Sequence, residues 1–168
     1  KDVALSVLLD VRKGGQVYSL SKYNQLAGGT GKFTENRTNL IADGVILGDD
    51  GNYTKSDIVL LAQDYYALQG PWSGIAESLV IDADYVALRE ASIGYNLGSS
   101  SLLKRTPLKN AKISIVGRNL LYVYRDPQFK TMGISPETAF NTTSAAQGFE
   151  AVGIPTTRSI GFNLSFSF

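Results

Sequence analysis

The chain ends on RSIGFNLSFSF (Arg158–Phe168), where apolar and small polar residues alternate without a break. Ile160, Phe162, Leu164, Phe166 and Phe168 share one parity; Ser159, Gly161, Asn163, Ser165 and Ser167 share the other. Successive side chains of an extended strand leave opposite faces, so this segment has one oily face and one small, polar face. Two settings produce that pattern. One is a sheet over a soluble core. The other is a strand of a membrane barrel with lipid outside and water inside, for which a span of about 9–11 residues is expected.

The same alternation recurs upstream. In DVALSVLLDVR (2–12), Val3, Leu5, Val7, Leu9 and Val11 oppose Asp2, Ala4, Ser6, Asp10 and Arg12, with Leu8 as the interruption. In DYVALREASIGYNL (84–97), Ala91, Ile93, Tyr95 and Leu97 oppose Glu90, Ser92, Gly94 and Asn96. The segment AKISIVGRNLLYVY (111–124) changes phase between Ile115 and Val116, which predicts a bulge near Gly117. After Gly14-Gly15, QVYSL reads as a short continuation of the first strand. Four antiparallel strands are therefore expected, at about 2–12, 84–97, 111–124 and 158–168. They are joined by a long connection (21–84), a compact turn (98–110) and a second long connection (125–157).

The first long connection is rich in Gly, Asn, Asp and Thr, the residues of turns; a short strand or helix is expected within SDIVLLAQDYYAL. Loops this long are unusual inside a compact domain. Alternating long and short connections suit an outer-membrane barrel, which has long loops at the outer rim and short turns at the periplasmic one. With the C-terminus on the periplasmic side, both long connections fall outside. Tyr85, Tyr95, Tyr122, Tyr124, Phe166 and Phe168 near strand ends suit interfacial girdles, or alternatively cross-strand packing in a soluble sheet. Four strands cannot close a barrel, so the membrane reading makes this an all-β fragment of a larger one, with its natural beginning upstream.

Composition narrows the chemistry. Cys and His are both absent, which removes zinc–thiolate and histidine-base sites as well as disulfides. Net charge is +1 without a basic run, against a nucleic-acid footprint. Charged residues make up 18%, below the roughly 25% of soluble domains. No apolar run approaches the roughly 20 residues of a spanning helix. Carboxylates are scattered with no paired constellation, so no enzyme, cofactor or metal is expected. GGTGK (28–32) lacks the first Gly of a phosphate loop, where Leu26 stands, and has Phe33 in place of Ser/Thr. DDGN (49–52), with Asp43 and Asp57 nearby, misses the EF-hand spacing and reads as a solvated turn.

Five segments in order resemble the C-terminal end of the SusC/RagA-type TonB-dependent outer-membrane transporters of the Bacteroidetes. They are DVRKGGQVYS (10–19), LAQDYY (61–66), DADYVALREASIGYNL (82–97), KISIVGRNLLYVY (112–124) and IPTTRSIGFNLSFSF (154–168). Where that family often shows Gly-Tyr-Asp-Pro-Glu, this chain has GISPE (133–137). The resemblance implies a part in importing bulky nutrients, such as oligosaccharides (glycan uptake) or peptides. It further implies a SusD-like surface lipoprotein partner, and TonB engaged through a region N-terminal to the barrel. It also implies Phe168 as the signal read by the barrel-assembly machinery, with Phe166, Leu164 and Phe162 as the apolar face toward outer-membrane lipid. Tyr65, Tyr66 and Trp72, with Tyr53, lie in the longest loop, where aromatic faces can cover sugars or serve as buried anchors. The competing expectations are a soluble β-sandwich or adhesin-like binding module and, behind it, a glycan-active enzyme.

Overall fold

A computed structural model describes residues 2–72, 75–98, 103, 106–137, 140, 143 and 146–168. Much of the turn expected over 98–110 lies outside the described residues, as do 73–74 and parts of 138–145 within the two long connections. The elements run in the order β1 (Val3–Arg12), β2 (Gln16–Ser19), α1 (Leu20–Ala27), β3 (Leu40–Ile41), β4 (Val45–Leu47), β5 (Tyr53–Lys55) and β6 (Val59–Leu60). There follow α2 (Ala62–Ala67), β7 (Val80–Asp82), β8 (Tyr85–Asn96), β9 (Asn110–Arg125), α3 (Pro127–Met132), β10 (Phe149–Glu150) and β11 (Ser159–Ser167). Among the described residues strands dominate, helices are short, and no closed barrel forms. The fold is an all-β fragment. Among the described residues no helix is long and apolar enough to cross a membrane, which leaves strand crossings open.

The chain divides into two compact units. The first comprises Lys1–Gly14, Ala83–Arg125 and Pro155–Phe168. It holds a four-stranded antiparallel sheet in the order β1-β8-β9-β11. Register joins the alternating segments into rows. One row is Leu5, Ile93, Ile115 and Phe162; the next is Val3, Tyr95, Ile113 and Leu164. A third is Val7, Ala91, Gly117 and Ile160. Partners directly opposite in a ladder share a face, so these rows make one continuous apolar surface. The opposite face carries Ala4, Gly94, Ser114 and Asn163, then Ser6, Ser92, Val116 and Gly161. Among the described residues nothing covers the apolar face: its large side chains range from 41% exposed at Ile113 to 76% at Phe162.

Three irregularities interrupt the ladders; one leaves Val123 extra, where Val86 pairs with Tyr124 and Ala87 with Tyr122, and the other two keep that surface continuous. Leu8 pairs with Glu90 and Leu9 with Leu88, which leaves Arg89 as the extra residue of β8. Beyond it the apolar parity of β8 changes from Ala91, Ile93 and Tyr95 to Val86 and Leu88, which still lie opposite Val11 and Leu9. In β9 the expected bulge lies two residues past Gly117: Arg118 pairs with Glu90 and Leu121 with Leu88, and Asn119 takes φ 49°. Asn tolerates the left-handed region, which frees Gly117 for a different task. A Cβ on Gly117 would stand 2.7 Å from Leu120 Cδ2, so Gly117 makes room for that side chain.

The second unit comprises Gly15–Asp82 and Asp126–Ile154. QVYS does not extend the ladder of β1. After Gly14 and Gly15, at φ 84° and 85°, it forms β2 in a separate sheet ordered β10-β2-β7. Two small pairs, β3–β6 and β4–β5, decorate the long connection. Leu79, Ile81 and Phe129 are fully buried, with Val17, Leu26 and Met132 nearly so. The fully buried Glu150 carboxylate accepts from Ser19 Oγ at 2.5 Å and Ser21 Oγ at 2.6 Å, tying β10 to the start of α1. Ser19 is also the N-cap of α1, accepting from Lys22 N–H. Helix α3 has complete end signals: Asp126 accepts from Gln128 N–H at the N-cap, Pro127 opens the first turn, and Gly133 closes the helix at φ 73°.

Candidate functional site

A concavity of the second unit, about 390 Å³, lies where α1 ends and α2 begins. That volume is within the range of small-molecule sites. Gly28 is the C-cap of α1, its N–H still donating to Asn24 O at 3.0 Å, and Gly29 turns the chain away at φ 63°. The chain then passes Thr34, whose hydroxyl donates to Gly31 O, and Arg37, at φ 46°. Pairing of Leu40 with Leu60 in β3–β6 sets Asn39 beside Leu61, the residue preceding α2. Two stretches far apart in sequence thus meet at one mouth.

The walls divide by chemistry. Leu26, Ala27, Leu61 and Ala62 give apolar surface, while Arg37, Asn39 and Gln63 bring a guanidinium and two amides. Tyr66 adds an aromatic ring held from two sides: its hydroxyl donates to Phe33 O at 3.3 Å, and Tyr65 stacks edge-on at 5.4 Å between centroids. A second depression of about 420 Å³ shares Gly29 and Arg37 and adds Lys32 and Glu35. Lys22, another cation of α1, is spoken for: its Nζ donates to Ser78 O and to Gln128 Oε1, and burial lowers its pKa against the opposing pull of Asp126.

The sequence-derived candidates separate. Tyr66 lines the concavity and Tyr65 supports it from behind. Trp72, 89% exposed, is not among its lining residues, and Tyr53 stands exposed on β5; neither is a buried anchor. Phe162, Leu164, Phe166 and Phe168 are all exposed, the first three on the apolar face of β11 and its outer rows. GGTGK follows the C-terminal end of α1 and leads only into a single 3-10 turn (Lys32–Thr34), so its carbonyl-rich setting is the reverse of a phosphate cradle. DDGN caps the β4–β5 hairpin; Asn52 donates backbone and side-chain N–H groups to the Asp50 carboxylate, lowering its pKa. Among the described residues no group of three acidic side chains could hold a metal ion. Arg37, Asn39 and Gln63 escaped the sequence reading because only tertiary pairing brings them together.

No family model matches the chain, and no curated protein sequence matches it. Solved structures do. Over the whole chain it is similar to a chain of the RagAB peptide importer in its closed-closed state, at 16% identity and a TM-score of 0.61. The open-open state of that importer gives 16% and 0.57, and a further structure of the RagAB peptide transporter gives 18% and 0.59. In each case the chain spans 16% of the matched chain's length. At such identities the likeness is one of fold.

Proposed function

We propose that this chain is the C-terminal part of the β-barrel of a TonB-dependent outer-membrane transporter of the SusC/RagA type. In this reading it serves the import of bulky nutrients, oligosaccharides or peptides. The observation that carries the proposal is the uncovered apolar face of the β1-β8-β9-β11 sheet, backed by a face of small and polar residues. A sandwich would bury that face against a second sheet. A lipid-facing wall leaves it open, and the strands of 9 to 16 residues are long enough to span. The fold likeness to chains of a peptide importer supports the same reading.

The domain assignment that follows makes the whole of 1–168 barrel wall and loops. Residues 21–84 and 125–157 are extracellular, and 98–110 form a periplasmic turn. By topology, Arg12, Tyr85, Arg125 and Ser159 lie at one end of the sheet, where both long connections leave it. Phe168 acts as the assembly signal, with Phe166, Leu164 and Phe162 toward lipid. Tyr65, Tyr66 and Trp72 contribute to ligand contact. A SusD-like lipoprotein covers the outer mouth, and TonB acts through a region of the parent N-terminal to the barrel.

The test is an immunoblot of native cell fractions with antiserum against this region, with and without boiling. The expected result is an outer-membrane band from a much longer chain whose mobility shifts on heating. A band of this length in a soluble fraction would overturn the proposal.

A further inference from the structure

We propose that the concavity between the end of α1 and the start of α2 binds a carboxylate carried on an apolar or flat body, with Arg37 as its ion-pairing residue. The assignment rests on the transporter reading only for the source of the ligand; its chemistry comes from the walls.

Arg89 and Arg118 each hold a carboxylate, that of Asp10 and that of Glu90. The Arg37 guanidinium has no hydrogen bond or ion pair among the described residues; only its backbone N–H is engaged, donating to Thr34 O at 3.2 Å. A guanidinium presents a planar fork of donors that fits a carboxylate in bidentate fashion. The Asn39 and Gln63 amides at the same mouth are likewise unengaged among the described residues, and each can both donate and accept. Lys32 borders the adjoining depression with Glu35, so the combined rim carries two cations against one carboxylate.

Two features select the kind of anion. Leu26, Leu61 and the Tyr66 ring offer apolar surface that a bare inorganic ion would leave unused. The C-terminal end of α1, with its partial negative charge, also lies at the mouth and opposes a dianion such as phosphate more than a singly charged carboxylate. A free peptide C-terminus and a uronic acid both supply that chemistry.

The experiment uses the full-length parent protein in detergent and isothermal titration calorimetry. The probes are acetyl-Ala-Ala-Phe as free acid and as C-terminal amide, and a glucuronate-bearing disaccharide beside its neutral glucose counterpart. The acid should bind about tenfold or more tightly than its neutral partner in one of the two series, which identifies the source. Arg37→Asn, which suits the left-handed backbone and removes the charge, should abolish the preference. Arg37→Lys should keep part of it. Equal binding of acid and neutral forms, no binding in either series, or a preference that survives Arg37→Asn overturns the assignment. Heat-shifted mobility of the same preparation reads the barrel separately. A folded outer-membrane barrel without acid preference fails the pocket alone; acid preference in a soluble protein fails the transporter reading alone.

Discussion

Leu164 and Asn163 are neighbours in β11 whose side chains leave opposite faces of the sheet, opposite Ile113 and Ser114 of β9. If the Leu164 face meets lipid, Leu164→Arg should cost roughly 2–4 kcal/mol near mid-span, while Asn163→Arg, toward a wet lumen, should be tolerated. Folded-barrel yield of the full-length protein, read by heat-shifted mobility, distinguishes the two; equal damage would sink the facing assignment. Asn119 makes a different kind of demand. Its φ of 49° suits Asn or Gly, so Asn119→Val should destabilise by about 1–2 kcal/mol and Asn119→Gly by much less. Urea midpoints in lipid vesicles would show the difference. Arg89 donates through Nε and Nη2 to Asp10 Oδ2 at 3.0 and 2.8 Å, and the pair is partly open to solvent. Screening therefore limits the coupling in an Asp10→Ala, Arg89→Ala double-mutant cycle to about 0.2–1 kcal/mol.

At the scale of elements, the strands were legible wherever alternation was uninterrupted, because a sheet face with one environment forces period two. The extra residue at Arg89 was hidden in DYVALRE. Val86 and Leu88 continue the apolar face of Ala91 and Ile93 only because the insertion changes their parity, and no single-strand pattern reveals that. Helix α3 differs: Asp126-Pro127 and Gly133 are end signals present in the sequence, but they stand inside what reads as a polar connection. The link between β10 and α1 could not be read locally at all, since Glu150 meets Ser19 and Ser21 across more than a hundred residues of chain. Removing a buried acceptor leaves its donors unsatisfied. Glu150→Leu should therefore cost about 1–3 kcal/mol, and Glu150→Gln less because one acceptor oxygen survives. Limited proteolysis of the full-length protein should show faster cutting within 15–82 for the Leu variant than for the Gln variant. Indistinguishable cutting rates would mean that the clasp contributes nothing.

For the whole molecule, the decisive fact is that, among the described residues, β1 and β11 each end the sheet with an unpaired edge while the large side chains of one face lie open. Free edges and a continuous apolar surface promote association in water. The 168-residue chain expressed alone should therefore sediment as aggregate from aqueous buffer and require detergent to stay dispersed. A stable, soluble monomer in analytical ultracentrifugation would argue for a self-contained β domain instead. The sequence by itself determined the strand segments and the two chemistries of their faces, because side-chain direction in a strand follows from position alone. It also excluded cysteine and histidine chemistry, since those residues are absent. Only the tertiary structure decided the register that joins four amphipathic strands into one surface, the bulges that hold it continuous, and the meeting of Arg37, Asn39, Gln63 and Tyr66. The reason is physical: alternation is a local property of the backbone, whereas register and pocket walls depend on contacts between residues that the sequence places far apart.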